Sequence, residues 1–91
     1  MIKSIKSKAL KLLWEKDDES KLPPSQLAKI LNILEIINNL ERVPDDLSFY
    51  KNLRPHPLKG DFKDYWSLDV TGNYRIIFRF QNKNAFDLDT H

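Results

Sequence analysis

YWSLDVTGNYRIIFRFQNKNAFDLD, residues 65–89, is the stretch that decides the fold. Its apolar residues recur at every second position, the period of a strand with one buried face. Trp66, Leu68 and Val70 fall on one side, and Tyr65, Ser67 and Asp69 on the other. A turn follows at Thr71-Gly72-Asn73. Tyr74, Ile76, Phe78 and Phe80 then share one face, and Asn73, Arg75, Ile77 and Arg79 share its opposite. Gln81–Asn84 reads as a second turn, after which Phe86 and Leu88 oppose Ala85, Asp87 and Asp89. Three strands joined by short turns predict an antiparallel meander with a single apolar face.

Upstream the period changes from 2 to 3.6. Ala9, Leu10, Leu13 and Trp14 form a helical stripe, and Ser7 is placed to cap it. Before it, MIKSI alternates and predicts a short first strand. Lys21–Ser25 is a stiff, proline-bearing connector into a second helix. There Leu27, Ile30, Leu31, Leu34 and Ile37 repeat at three and four residues, and Ile33, Ile36 and Leu40 widen the arc. Val43-Pro44 marks its end. Residues 45–63 read as a long polar connection anchored by Tyr50 and Leu53. The helices cover the apolar face of the sheet, which makes residues 1–91 one α+β domain.

The composition suits such a domain. A 41% hydrophobic content with ten aromatic residues supports a compact core, and 31% charged residues solvate the exterior. Without cysteine there is no disulfide, zinc ribbon or thiolate chemistry. The apolar stretches are too short to span a bilayer, so the expectation is a cytoplasmic protein with no membrane partner. The net charge is only +2, but it is unevenly spread. Residues 1–16 carry five lysines, among them Lys6 and Lys8, against Glu15 alone. Residues 51–63 carry Lys51, Arg54, Lys59 and Lys63 against Asp61. Two basic patches suit a polyanion. Equally, they suit two solvated faces.

The polar face of the meander is where chemistry has to be sought. The loop "RPHPLKG", residues 54–60, delivers His56 and Lys59 to its first strand, and Arg75 and Arg79 stand on that face. Lysine and arginine neutralise phosphate, and an unperturbed imidazole titrates near about 6.5. Cleavage of RNA by its own 2′-hydroxyl needs a base, charge stabilisation at phosphorus and an acid on the leaving oxygen. His56, Lys59 and Arg75 are sufficient for that, with no metal or cofactor. They also describe a passive phosphate site, and Arg75 and Arg79 can instead pair with Asp87 and Asp89 across the sheet. Nucleophile elbows, phosphate-cradling glycine loops and H-E-x-x-H motifs are absent.

The order of these motifs carries a resemblance. MIKSIKSKALKLLWEKD followed by HPLKGDFKDYWSLDVTGNYRIIFRF resembles the HigB toxins of the RelE superfamily, over most of the chain and most strongly over residues 54–80. The resemblance implies a RelE-like fold and a ribosome-dependent endoribonuclease that cuts mRNA in the ribosomal A site. It implies a HigA-type helix-turn-helix antitoxin that neutralises the toxin and binds operator DNA, so that DNA is met only through that partner. Residue by residue, His56 and Lys59 match the active-site loop, and Asn73 and Arg75 match the strand, with Arg75 stabilising phosphate. Arg79 on the same face, with Lys6 and Lys8 in the basic N-terminal segment, would add contacts to RNA. Family members end in Asp-Tyr-His a few residues further on. This sequence ends FDLDTH, and either His91 takes the place of the terminal histidine from a shortened tail or that tail is missing or different. The competing readings are a non-catalytic RNA- or ribosome-binding protein, and an adaptor that docks through the wide apolar helix.

Overall fold

The computed structural model describes residues 1–91. Two helices, α1 (Lys8–Lys16) and α2 (Leu27–Asn39), precede a four-stranded antiparallel sheet. Its strands are β1 (His56–Pro57), β2 (Tyr65–Thr71), β3 (Tyr74–Gln81) and β4 (Asn84–Thr90), in spatial order β1-β2-β3-β4. One core of 16 buried residues joins the helices to the inner face of the sheet. Leu10 and Leu13 come from α1, Ile30, Ile33, Leu34 and Ile37 from α2, and Leu68, Val70, Ile76, Phe78, Ala85 and Leu88 from the strands. No helix is long and apolar enough to cross a membrane.

Several local expectations hold for the reasons given. The Ser7 hydroxyl accepts from the Leu10 N–H at 3.2 Å and caps α1. The width of the α2 stripe is burial against the sheet, so its main face is not left open for a partner. Leu31 departs from this, turned to solvent at 37% exposure. The helix also stops at Asn39, short of Val43-Pro44, where Leu40 takes an extended conformation and buries its side chain.

MIKSI is not a full strand. It lies parallel to β4 through two isolated bridges, Ile2 with Ala85 and Ile5 with Leu88. Lys3 and Lys6 N–H donate to the Ala85 and Leu88 carbonyls at 2.8 and 2.7 Å. This segment thereby covers the open edge of the sheet beyond β4.

The region 45–63 is more ordered than a plain connection. A kinked 3₁₀ segment spans Asp45–Leu53, and a second covers Gly60–Phe62. Leu53 and Leu47, the latter not anticipated, bury beneath the first, while Tyr50 is half-buried. The Asp46 carboxylate accepts from the Glu41 and Arg42 N–H groups at 2.8 and 2.9 Å and fixes the bend before it.

Strict alternation fails in β4. Ala85 and Leu88, three positions apart, both face the core, and Phe86 is half-buried opposite Arg79 on the outer face. The cause is a bulge at Asp87, whose φ of 55° lies in the left-handed region that Asp tolerates better than most residues. Ser4 secures it: its hydroxyl accepts from the Asp87 N–H at 2.8 Å and donates to Oδ1 at 3.2 Å.

Candidate active site

Register assigns the outer face its rows. Asp69 pairs with Arg75 across β2 and β3. Arg75 in turn exchanges both backbone hydrogen bonds with His91, at 3.3 and 3.0 Å. Directly opposed residues of an antiparallel pair project to the same side. Asp69, Arg75 and His91 therefore form one row. The next row runs His56, Ser67, Ile77 and Asp89 across all four strands. The third begins with Tyr65, Arg79 and Phe86.

The first row is built around a carboxylate. Asp69 has a side chain only 13% exposed, and its Oδ1 accepts from Arg75 Nε at 3.2 Å. Its Oδ2 lies 3.7 Å from Nε of Arg54, a residue the sequence reading counted only as patch charge. One carboxylate thus stands between two guanidiniums. Because it engages Nε in Arg75, the two terminal nitrogens of that fork stay available to a ligand. Arg54 also holds the histidine: its carbonyl accepts from His56 Nδ1–H at 2.9 Å. A carbonyl can only accept, so in the neutral imidazole the proton sits on Nδ1 and Nε2 carries the lone pair.

His56 and Arg75 share the face but do not touch. They stand two strands and one row apart, about 12 Å by strand spacing and rise, and Asp69 and Arg54 connect them. A phosphodiester with its ribose can lie between them. Lys59 is exposed at the start of the Gly60–Phe62 turn, and its ammonium makes no ion pair or hydrogen bond to His56 or Arg75. Asn73 is exposed in the β2–β3 turn, where its N–H donates to the Thr71 hydroxyl at 3.3 Å.

The third row is a closed polar cluster. Arg79 Nε donates to Asp87 Oδ2 at 2.8 Å, with Nη2 also 2.8 Å from that oxygen in an ion pair, and the hydrogen bond raises its already high pKa. Its guanidinium also lies 5.8 Å from the centre of the Phe86 ring. The cross-sheet pairing weighed for Arg79 is therefore present with Asp87. Arg75 pairs with Asp69 and with neither of the acids of β4. Lys6 Nζ donates to the Tyr65 hydroxyl at 3.1 Å, and that bond holds its ammonium above its ordinary pKa. Lys8, at the start of α1, is exposed and belongs to no row.

Phe62 lies over the face and joins its two ends. Its ring meets Tyr65 edge-on at 5.5 Å between centroids and His91 at 5.2 Å. The face has no cleft. Sequence reasoning missed Asp69, Arg54 and Phe62. A signal for Asp69 existed in the parity of β2 and β3.

The sequence of residues 3–91 matches the family described as the RelE-like toxin of type II toxin–antitoxin system HigB. A curated relative, Endoribonuclease HigB of Proteus vulgaris, is 41% identical over 90 residues, covering 98% of this chain and 95% of the relative. Among solved structures, YafQ from E. coli strain BL21(DE3) superposes with a TM-score of 0.53 at 21% identity, covering all of this chain and 92% of that one. The solution structure of HP0894 from Helicobacter pylori gives 0.51 at 16% identity, covering all of this chain and 96% of that one. At such identities these two neighbours speak for the α+β fold alone. Family and relative agree with the motifs of the HPLKG loop and the NYR strand, and the chain belongs to the HigB toxins of the RelE superfamily, as an endoribonuclease toxin of a type II toxin–antitoxin system.

Proposed function

We propose that this toxin cuts mRNA in the ribosomal A site and is neutralised by a HigA-type helix-turn-helix antitoxin. The observation that carries the reading is the shared face of Arg75, His91 and His56, with Arg75's terminal nitrogens and His56 Nε2 all free of protein partners. His56 Nε2 takes the proton from the ribose 2′-hydroxyl, and the 2′-oxygen attacks phosphorus. Arg75, with Lys59 as a mobile cation, offsets the charge that builds on the phosphoryl oxygens. His91 gives a proton to the departing 5′-oxygen. The products are a 2′,3′-cyclic phosphate and a 5′-hydroxyl end, and no metal or cofactor enters.

The lack of a cleft on this face supports reliance on the ribosome. A site without walls cannot by itself hold a flexible message in line for attack, and a second body has to supply the orientation. Lys3, Lys6, Lys8 and Lys11 supply charge for ribosomal RNA on the N-terminal side, Asn73 and Arg79 border the message, and the setting is the cytoplasm. Operator DNA is reached through the antitoxin alone.

The test is a reconstituted translation system with a short message, mapped for new ends with and without ribosomes. Cleavage that needs ribosomes and is lost in Arg75→Ala is expected. Equal cleavage of free message, or undiminished cleavage by folded Arg75→Ala, contradicts the reading.

A further inference from the structure

Ser67 sits in the middle of β2 on the outer face, and nothing in the fold accounts for its hydroxyl. The residue is 0% exposed, and Oγ has no hydrogen-bond partner. Such an orphan group costs stability unless a ligand or water satisfies it. Its neighbours across the strands are His56 on one side and Ile77 on the other. The row of Asp69, Arg75 and His91 lies alongside. The unpaired hydroxyl thus stands among the residues assigned to base and phosphate.

Phe62 is the aromatic side chain that spans this part of the face. The two rings it touches, Tyr65 and His91, belong to the rows on either side of Ser67. Its attachment is slight. The backbone of residues 59–64 makes hydrogen bonds only within itself, Phe62 N–H to the Lys59 carbonyl at 3.4 Å and Lys63 N–H to the Gly60 carbonyl at 3.2 Å. The ladder resumes on both sides, where Leu58 N–H donates to the Tyr65 carbonyl at 2.9 Å. Gly60, at φ 68°, turns the segment, and Phe62 remains 39% exposed. Two ring edges and the burial beneath it are what hold the phenyl group in place. A nucleobase offers the same kind of planar face in exchange.

We infer that Phe62 is a displaceable cover, and that the Ser67 hydroxyl beneath it donates a hydrogen bond to a non-bridging oxygen of the phosphodiester to be cut. This deepens the ribonuclease reading and rests on it. Phosphate is the better partner than the 2′-hydroxyl. A donor on the 2′-oxygen would draw on the lone pair that has to attack, whereas a donor on phosphate works with Arg75 as charge develops there. The Ser67 proton stays on Oγ throughout.

The test uses the full chain and a short RNA carrying a 2′-deoxy nucleotide at the cleavage position, which keeps the phosphate but cannot react. In an NMR titration the His91 ring protons, next to Phe62 in the free protein, should shift as the RNA binds. Ser67→Ala should bind about tenfold more weakly, the size of one hydrogen bond to a charged group, with a Tm equal to or above wild type. A purely structural orphan predicts the higher Tm without the weaker binding. Equal affinity of Ser67→Ala and wild type, His91 signals unmoved at saturation, or no binding by wild type each overturns the inference. Cleavage on ribosomes is run alongside. Wild-type cleavage that Ser67→Ala matches removes this inference only, whereas no wild-type cleavage removes the broader reading.

Discussion

Asp69 and Arg75 face each other across β2 and β3, and the carboxylate holds the guanidinium by Nε alone, at 3.2 Å. The ligand-binding end of the fork is oriented but not consumed. Arg75→Ala should therefore lower the rate of message cleavage by about 10²-fold or more, the usual cost of losing a donor to developing charge. Asp69→Asn keeps Arg75 but loosens it, and about a tenfold fall is expected. Single-turnover kinetics on programmed ribosomes measure both, and an Asp69→Asn effect as large as that of Arg75→Ala would make the carboxylate more than an anchor.

His56 presents Nε2 because Arg54 takes Nδ1–H. The side chain is exposed, so His56→Ala should leave the fold intact by circular dichroism. Loss of a general base should slow cleavage by about 10²–10⁴-fold. A folded variant that cuts at the wild-type rate would remove His56 from the chemistry.

Asp87 combines a left-handed backbone, the Arg79 pair and the tie to Ser4. Alanine loses the side-chain bonds and keeps the unfavourable φ, which costs a residue with Cβ about 1–2 kcal/mol. Glycine loses the bonds but relieves the backbone. Urea unfolding should rank wild type above Asp87→Gly, and Asp87→Gly above Asp87→Ala. The reverse order of the two variants would mean that backbone conformation is not what limits this position.

Asp46 gives a pH dependence with a definite sign. Hydrogen bonds from the Arg42 and then the Glu41 N–H hold its pKa below the ordinary value. Folding therefore gains from Asp46 above the unfolded pKa, about 3.9, and loses that gain as the pH falls through the lower folded value. The difference in Tm between wild type and Asp46→Asn should be largest near neutrality and shrink below about pH 4. A difference that stays constant down to pH 2 would contradict the assignment.

Much of this architecture is written in residue order, and the exceptions have identifiable causes. Leu68 and Val70 against Tyr74 and Ile76 set the inner face, and their parity holds more than it first shows. Were Gly72-Asn73 a simple two-residue turn in unbroken register, Leu68 would lie opposite Ile77. Matching apolar faces instead requires Leu68 opposite Ile76, so one residue of β2 has to be extra. The irregularity observed between Asp69 and Thr71 is that residue, and it brings Asp69 opposite Arg75. Counting the register would have found that pair. No local pattern reveals the Asp87 bulge, because it depends on Ser4 at the far end of the chain. Arg54 and Phe62 were equally hidden, since their roles arise from loop conformation, which periodicity does not describe. His56 and Arg75 were legible because loop and strand patterns place them on one face, whereas His91, Lys59 and Lys8 owe their selection to resemblance or charge, and of these three the register puts only His91 in a row of that face.

The strip of backbone that joins residues 1–6 to β4 sets the order in which the molecule can be finished. These contacts link positions more than eighty residues apart, the kind of closure that slows folding. A nascent chain can wind α1 and α2 early. It cannot pair Arg75 with His91, or lock Asp87 onto Ser4, until β4 has left the exit tunnel. The outer face therefore becomes whole only once β4 has met residues 1–6, well after the helices that support the sheet can form.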